Sequence, residues 1–305
     1  MIYTTAVPSF SLTNAKFESI TLHEAQSVVK TGTLQELSLI NITFDKIHSV
    51  AKDQTTNYIF EFGSLDVGHT TKFEINSLIV NDINMPILNF NRISNYETSA
   101  SMLEINNVEV TNSYITAKVS LIAFTNIVAN TNFTMSMTNI TFNGVEFATK
   151  GDLLLFEHQI THTLILTNLI ISNTRRGSIQ VVASSPNNST LPCSVSISNM
   201  TTSNVFGGYN SLIYVLKNTY LNISNSLLTG IYNFEAGAVL TSSYQNSLVN
   251  IHNTTIEFNA AIEGGVFRVI SGGTIKVYDS WISENFAMNA AVVKADDGGH
   301  YEFHN

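Results

Sequence analysis

Apolar and polar residues alternate along this chain in short runs, and one phrase recurs: apolar, any, apolar, any, Asn. It reads Phe10-Ser-Leu-Thr-Asn14 near the start and Leu164-Ile-Leu-Thr-Asn168 in the middle, and it closes the chain as Tyr301-Glu-Phe-His-Asn305. The full set of anchors is Asn14, Asn41, Ser77, Asn107, Asn139, Asn168, Asn199, Asn225, Asn253, Asp279 and Asn305, spaced by about 29 residues on average. Fixed-period self-similarity of this length marks a repeat architecture. Strict alternation along a strand predicts that the apolar positions two and four before each anchor point inward together with the anchor itself. Asn suits such a corner because it tolerates left-handed backbone angles, and its amide can bond to the same amide one coil away.

A second apolar run precedes each phrase, as in Tyr58-Ile-Phe-Glu-Phe62 and Gly264-Gly-Val-Phe-Arg-Val269, and a third follows it, as in Ile42-Thr-Phe44. All are rich in Ile, Val, Phe and Thr and bounded by Asn, Gly and Ser, which reads as strand. No interval carries a capped amphipathic helix. Three short strands per repeat predict an all-β parallel β-helix, a solenoid of ten or so coils spanning residues 1–305 as one domain. A leucine-rich repeat has a similar period but leaves two residues between its last core Leu and its Asn. Here one residue intervenes, and Ile, Val, Phe and Met share the core positions.

On these residues the chain resembles the pectin-lyase-like group of right-handed parallel β-helices. Its last quarter is similar to polymorphic-membrane-protein-type repeats, which pair an F-x-x-N phrase with a G-G-A-I phrase. The matching residues are Ile256-Glu-Phe-Asn259 with Gly264-Gly-Val-Phe267, and Ile282-Ser-Glu-Asn285 with Ala290-Ala-Val-Val293; Ala236-Gly-Ala-Val239 matches more loosely. Ile replaces Phe at the first position, and the N-terminal coils lack the double Gly. The resemblance implies an extracellular or cell-surface setting.

Composition narrows the function classes. Hydrophobic residues make up 44% of the chain, enough for a sizeable core, whereas charged residues are only 12% and the net charge is −9. Asn, Ser and Thr number 35, 32 and 33, so hydroxyls and amides supply most of the polar surface. Nucleic-acid binding needs a dense basic field, which is absent. No apolar stretch is long enough for a membrane-spanning helix, and Met1 to Phe10 lacks the pattern of a signal peptide. The single Cys193 excludes an internal disulfide and a multi-thiolate metal site; it is expected in the loop running from Ser184.

Candidate chemistry is sparse. Polysaccharide-cleaving β-helices use, by resemblance, clustered Asp residues with Arg, His or calcium on an outer face, but acids here are scattered and none lies between Glu157 and Glu235. Glu74 and Glu104 share one outward position in adjacent coils and read as a solvated pair. Asp296-Asp-Gly-Gly299 reads as a turn. His158 and His162 are four apart, but Gln159 stands where the zinc-protease phrase needs Glu. Arg175-Arg-Gly177 and Lys217 give the acid-free span a charge of +3, read as exposed turn charge. Asn-x-Ser/Thr occurs at Asn41, Asn132, Asn139, Asn187, Asn188, Asn199, Asn222 and Asn253, about the number that composition alone gives. With the anchors inward, Asn132, Asn188 and Asn222 are the N-glycosylation candidates.

The expectation is therefore a non-catalytic structural rod, extracellular or on a cell surface, acting as scaffold, adhesin or filament subunit without cofactor or metal. Its ends show no polar cap, so end-to-end self-association or continuation of the same solenoid is expected. Two alternatives stay open. Outward carboxylates clustered on one face would favour a carbohydrate-binding or polysaccharide-cleaving enzyme, and an exposed aromatic stripe would favour a receptor-like binding module.

Overall fold

The computed structural model describes residues 2–6, 9–23, 27–50, 58–66, 73–95, 101–116, 119–129, 133–158, 163–183, 193–208, 211–235, 237–244 and 246–305. The strand Glu36–Ser49 shows how a coil is made. Leu37 and Leu39 are buried, then Ile42 and Phe44, then Ile47 and Ser49. Within each pair the step is two, as alternation requires. Between pairs it is three, and each long step spans a residue with left-handed backbone: Asn41 at φ 55° and Lys46 at φ 57°. A left-handed residue turns the chain sharply and resets the phase of the pleat, so two consecutive side chains point outward at the corner. The next pair then faces the same core.

This geometry repeats down the chain. The anchors Asn14, Asn41, Ser77, Asn107, Asn139, Asn168, Asn199, Asn225, Asn253 and Asp279 are all left-handed. A second left-handed corner lies five residues after each of them, from Ser19, Lys46 and Asp82 through to Phe258 and Glu284. That second corner escapes a search for recurring phrases because its residue type varies from Asn to Gly to Phe.

Every pairing between these strands is parallel and joins one coil to the next, as in Leu37 with Phe73 and Phe73 with Leu103. The result is an all-β parallel solenoid of about 9 turns with coils of roughly 28 residues, slightly fewer and shorter than the anchors suggest. The last complete coils use four short strands rather than three: Leu248–His252, Thr255–Glu257, Ala260–Glu263 and Phe267–Ile270. Apolar side chains from Leu22 to Val277 form one continuous core. Cys193 belongs to that core. It opens the strand Cys193–Ser198, is fully buried, and pairs with Thr219 of the next coil, so it is not a loop residue.

Glycine marks the tightest approach. Gly264 has φ +60°, and a Cβ on it would lie 2.4 Å from the Phe267 carbonyl oxygen; one on Gly265 would lie 2.3 Å from that of Ala291. The double Gly therefore lets the backbone of the next coil pass against this turn.

Candidate functional site

Four features of the outer surface bear on function. The first is the anchor ladder. Strict alternation placed the anchors inward, and the structure overturns this: Asn14, Asn41, Asn107, Asn139, Asn168, Asn199, Asn225, Asn253, Asp279 and Asn305 are all exposed. The cause is the reset of phase at a left-handed corner. The amides do bond from coil to coil on the outside. Nδ2 of Asn41 donates to Oδ1 of Asn14 at 2.9 Å, Asn139 to Asn107 at 2.9 Å, Asn168 to Asn139 at 2.8 Å, Asn199 to Asn168 at 3.0 Å and Asn253 to Asn225 at 2.7 Å. At the break made by Ser77, Asn107 donates instead to the neighbouring Asn76, at 2.9 Å.

The second feature is a polar recess of about 620 Å³ on the flat face, the outward side of the strands that precede the anchors, in the C-terminal coils, among Tyr220, Asn246, Thr274, Lys276, His300 and Glu302. His300 Nε2 and His304 Nε2 each lie 2.9 Å from separate oxygens of Glu302, with Lys276 Nζ at 3.1 Å. Hydrogen bonds from the two imidazoles and then the ammonium hold the Glu302 carboxyl down at about 2. Beside it the rings of His252, Tyr278 and His304 stack with centroids 4.7 Å apart at each step. Among the described residues, no group of three or more His, Cys, Asp or Glu is arranged to hold a metal ion.

The third feature is an apolar groove of about 370 Å³ beyond the second corner of the same coils. It is lined by Phe206, Tyr232, Phe234, Ile262, Phe286 and Met288 among others. Phe206, Tyr232, Ala260 and Phe286 occupy one column of register-paired positions. Phe206 and Tyr232 touch with centroids 5.2 Å apart, and the Arg175 guanidinium sits 5.6 Å over the Phe206 ring. Phe234 and Phe286 are about two-thirds exposed and Met288 is 80% exposed. Residues so distant in sequence give no periodic signal beyond their shared place in the coil.

The fourth is a half-sheltered carboxylate. Asp152 accepts hydrogen bonds from Ser120 Oγ at 3.0 Å and Ser178 Oγ at 2.8 Å, one from each neighbouring coil. Burial pushes its carboxyl above the ordinary range, against the opposing pull of the two hydroxyls. Nearby, burial raises the Tyr58 phenol to about 12, with the charges of Glu61 and Asp152 adding to the effect.

The remaining sequence candidates do not converge. Glu74 and Glu104 are register partners on the flat face. Asp296 carries an ordinary turn, with Gly299 N–H donating to its carbonyl at 3.0 Å and Lys294 Nζ 3.6 Å from its carboxylate. Arg176 is a staple between coils, donating to the carbonyls of Ala148 at 2.6 Å and Phe147 at 3.3 Å. Asn222 is half-buried on the flat face and accepts from Asn250 Nδ2 at 3.1 Å. Asn132, Asn187, Asn188 and His162 lie outside the described residues, as does the side chain of His158.

Comparison with protein-family models, curated proteins and solved structures finds no match to this chain.

Proposed function

We propose that the protein is a non-catalytic structural rod of an extracellular or cell-surface setting, acting as scaffold, adhesin or filament subunit. One observation carries this reading: equivalent positions stay in register from coil to coil. The series Leu37, Phe73, Leu103, Met135, Leu164, Val195, Leu221, Val249, Ile275 and Tyr301 is a single column of paired residues. Such a molecule has a solid interior and long repeating outer faces. The likeness to polymorphic-membrane-protein-type repeats supports the setting, and Asn259 and Asn285 of its two phrases make the same hydrogen bonds in successive coils. The rod is extended by end-to-end stacking of a second copy or by continuation of the same solenoid. Light scattering at rising concentration tests the stacking, which predicts masses in multiples of one chain; a persistent monomer overturns it. Release of reducing sugar from any of a panel of polysaccharides overturns the non-catalytic reading.

A receptor-like binding module is the second reading, and the apolar groove favours it. Its exposed lining is apolar and aromatic, while Glu263 beside Ile262 is already paired with Lys294. The fitting partner is a protein presenting an exposed apolar face.

A further inference from the structure

The corner ladder carries more than the coil-to-coil bonds it makes. Four of its anchors open the tripeptide Asn-x-Thr: Asn41 with Thr43, Asn139 with Thr141, Asn199 with Thr201 and Asn253 with Thr255. This tripeptide is the acceptor for N-linked glycans on secreted chains. All four Asn side chains are exposed at an outermost corner. A side-chain amide has two N–H groups. The ladder uses one from each of these nitrogens, toward the preceding coil, at 2.9, 2.9, 3.0 and 2.7 Å in turn. The other is left for a sugar, so a glycosylated anchor keeps its ladder bond.

Spacing supplies the second observation. From Asn139 onward the acceptors fall on every second coil: Asn139, Asn199 and Asn253 carry the hydroxyl two residues on, while Asn168 and Asn225 between them have Ile170 and Leu227 there. Asn41 stands apart, with Ser77 and Asn107 separating it from Asn139. Neighbouring parallel strands lie about 4.8 Å apart, so alternate coils give roughly 10 Å. A pyranose with its hydroxyls is wider than the first distance and narrower than the second. Along this corner, no two acceptors occupy adjacent coils.

We propose that Asn41, Asn139, Asn199 and Asn253 are N-glycosylation sites, which line one corner of the rod with glycans on alternate coils from Asn139 to Asn253. In each transfer, Nδ2 bonds to the anomeric carbon of a lipid-pyrophosphate-linked oligosaccharide. The bond from that carbon to the phosphate oxygen breaks, lipid pyrophosphate leaves, and the nitrogen gives up one proton. The inference rests on the extracellular reading for its biological setting, but its chemistry can be tested separately.

The full chain is secreted from a eukaryotic host, and its glycans are removed enzymatically in heavy-oxygen water. Mass spectrometry then reads which Asn has become labelled Asp. Label on most molecules at Asn41, Asn139, Asn199 and Asn253 is the expected result. Label confined to Asn188 or Asn222, or absent throughout, overturns the proposal. The variant Ile170→Thr tests the spacing, because it makes Asn168 an acceptor between Asn139 and Asn199. Ile170 is 44% exposed and Thr is equally β-branched, so the unglycosylated variant should melt with the parent. In the secretory host either Asn168 stays bare or secretion falls severalfold. Normal secretion of molecules glycosylated at Asn139, Asn168 and Asn199 together overturns the spacing argument. Protease accessibility on the native cell reports the extracellular reading by itself, so the two can fail independently.

Discussion

The interior column through Phe62 changes character along the rod. In the middle coils it is aromatic: Phe62, Phe90, Phe124 and Phe156 stack face to face with centroids 4.9, 5.2 and 5.3 Å apart. Beyond them the same column continues as Val181, Val215, Ser242, Val269 and Ala295. The core narrows, and buried polar groups enter it. Asn259 Nδ2 donates to the Leu228 carbonyl at 2.9 Å, and its Oδ1 accepts from the Ile231 N–H at 2.9 Å, clamping the second corner of the coil before. Asn285 repeats the clamp, donating to the Ile256 carbonyl at 3.0 Å and accepting from the Asn259 N–H at 3.0 Å. Just after the anchors, Ser226, Thr254 and Ser280 replace the apolar Ile42, Leu78 and Val108 of earlier coils, and each hydroxyl bonds a corner carbonyl.

One architecture is thus held in two ways. Aromatic columns stabilise by buried area and close packing, which any ring of similar shape supplies. Amide and hydroxyl clamps bury less apolar surface, but they pair specific backbone groups and so permit one register between coils. Each strategy also solves the corner differently. Wide coils keep long strands such as Phe133–His158, which bend through both left-handed positions. Narrow coils break into three- to five-residue strands, and their interior side chains satisfy the backbone groups exposed at the breaks.

The contrast is sharpest if a ring is removed from the stack. Phe124→Ala opens a cavity between two flanking rings and should cost roughly 3–5 kcal/mol. Val215→Ala, lower in the same column, removes two methyl groups and should cost about 1–2 kcal/mol. Denaturant unfolding of both variants gives the comparison, and equal losses would break it. An effect between these two is expected at the clamp. Asn259→Ala leaves the Leu228 carbonyl and the Ile231 N–H buried without this partner, at about 2–3 kcal/mol. Amide exchange at Ile231 should accelerate while exchange in the aromatic coils holds. The outer-ladder variant Asn168→Ala should cost only about 1 kcal/mol, chiefly through its left-handed backbone.

The smallest effect is the most diagnostic of the middle coils. Asp152 has its folded carboxyl raised by burial, so the unfolded chain ionises more readily. The ionised carboxyl therefore destabilises the fold at neutral pH, and this penalty fades as pH falls through the raised folded value. Asp152→Asn should raise the melting temperature at pH 7 and flatten its dependence on pH between neutrality and the ordinary carboxylate range. A variant with the parent's pH slope would remove Asp152 from this account.

Recurrence at about 29 residues and β-rich runs were sufficient to determine a parallel solenoid, because each coil must repeat the same inward positions for the next coil to cover. The anchors' left-handed backbone was also legible, since Asn is the non-glycine residue best suited to it. Which way those anchors point was not. Counting by twos assumes a straight strand, and a left-handed residue resets the count within a single step; this put Asn139 and Asn253 inside when they stand outside. The variable second corner, the Asn259 clamp, the approach of Lys276 to Glu302 and the groove at Phe206, Tyr232 and Phe286 were decided by tertiary structure alone. Their members lie about one coil or more apart in sequence, and the coil length shifts along the chain. Only the stacked backbone, pairing strand with strand, brings them to the same point on the rod.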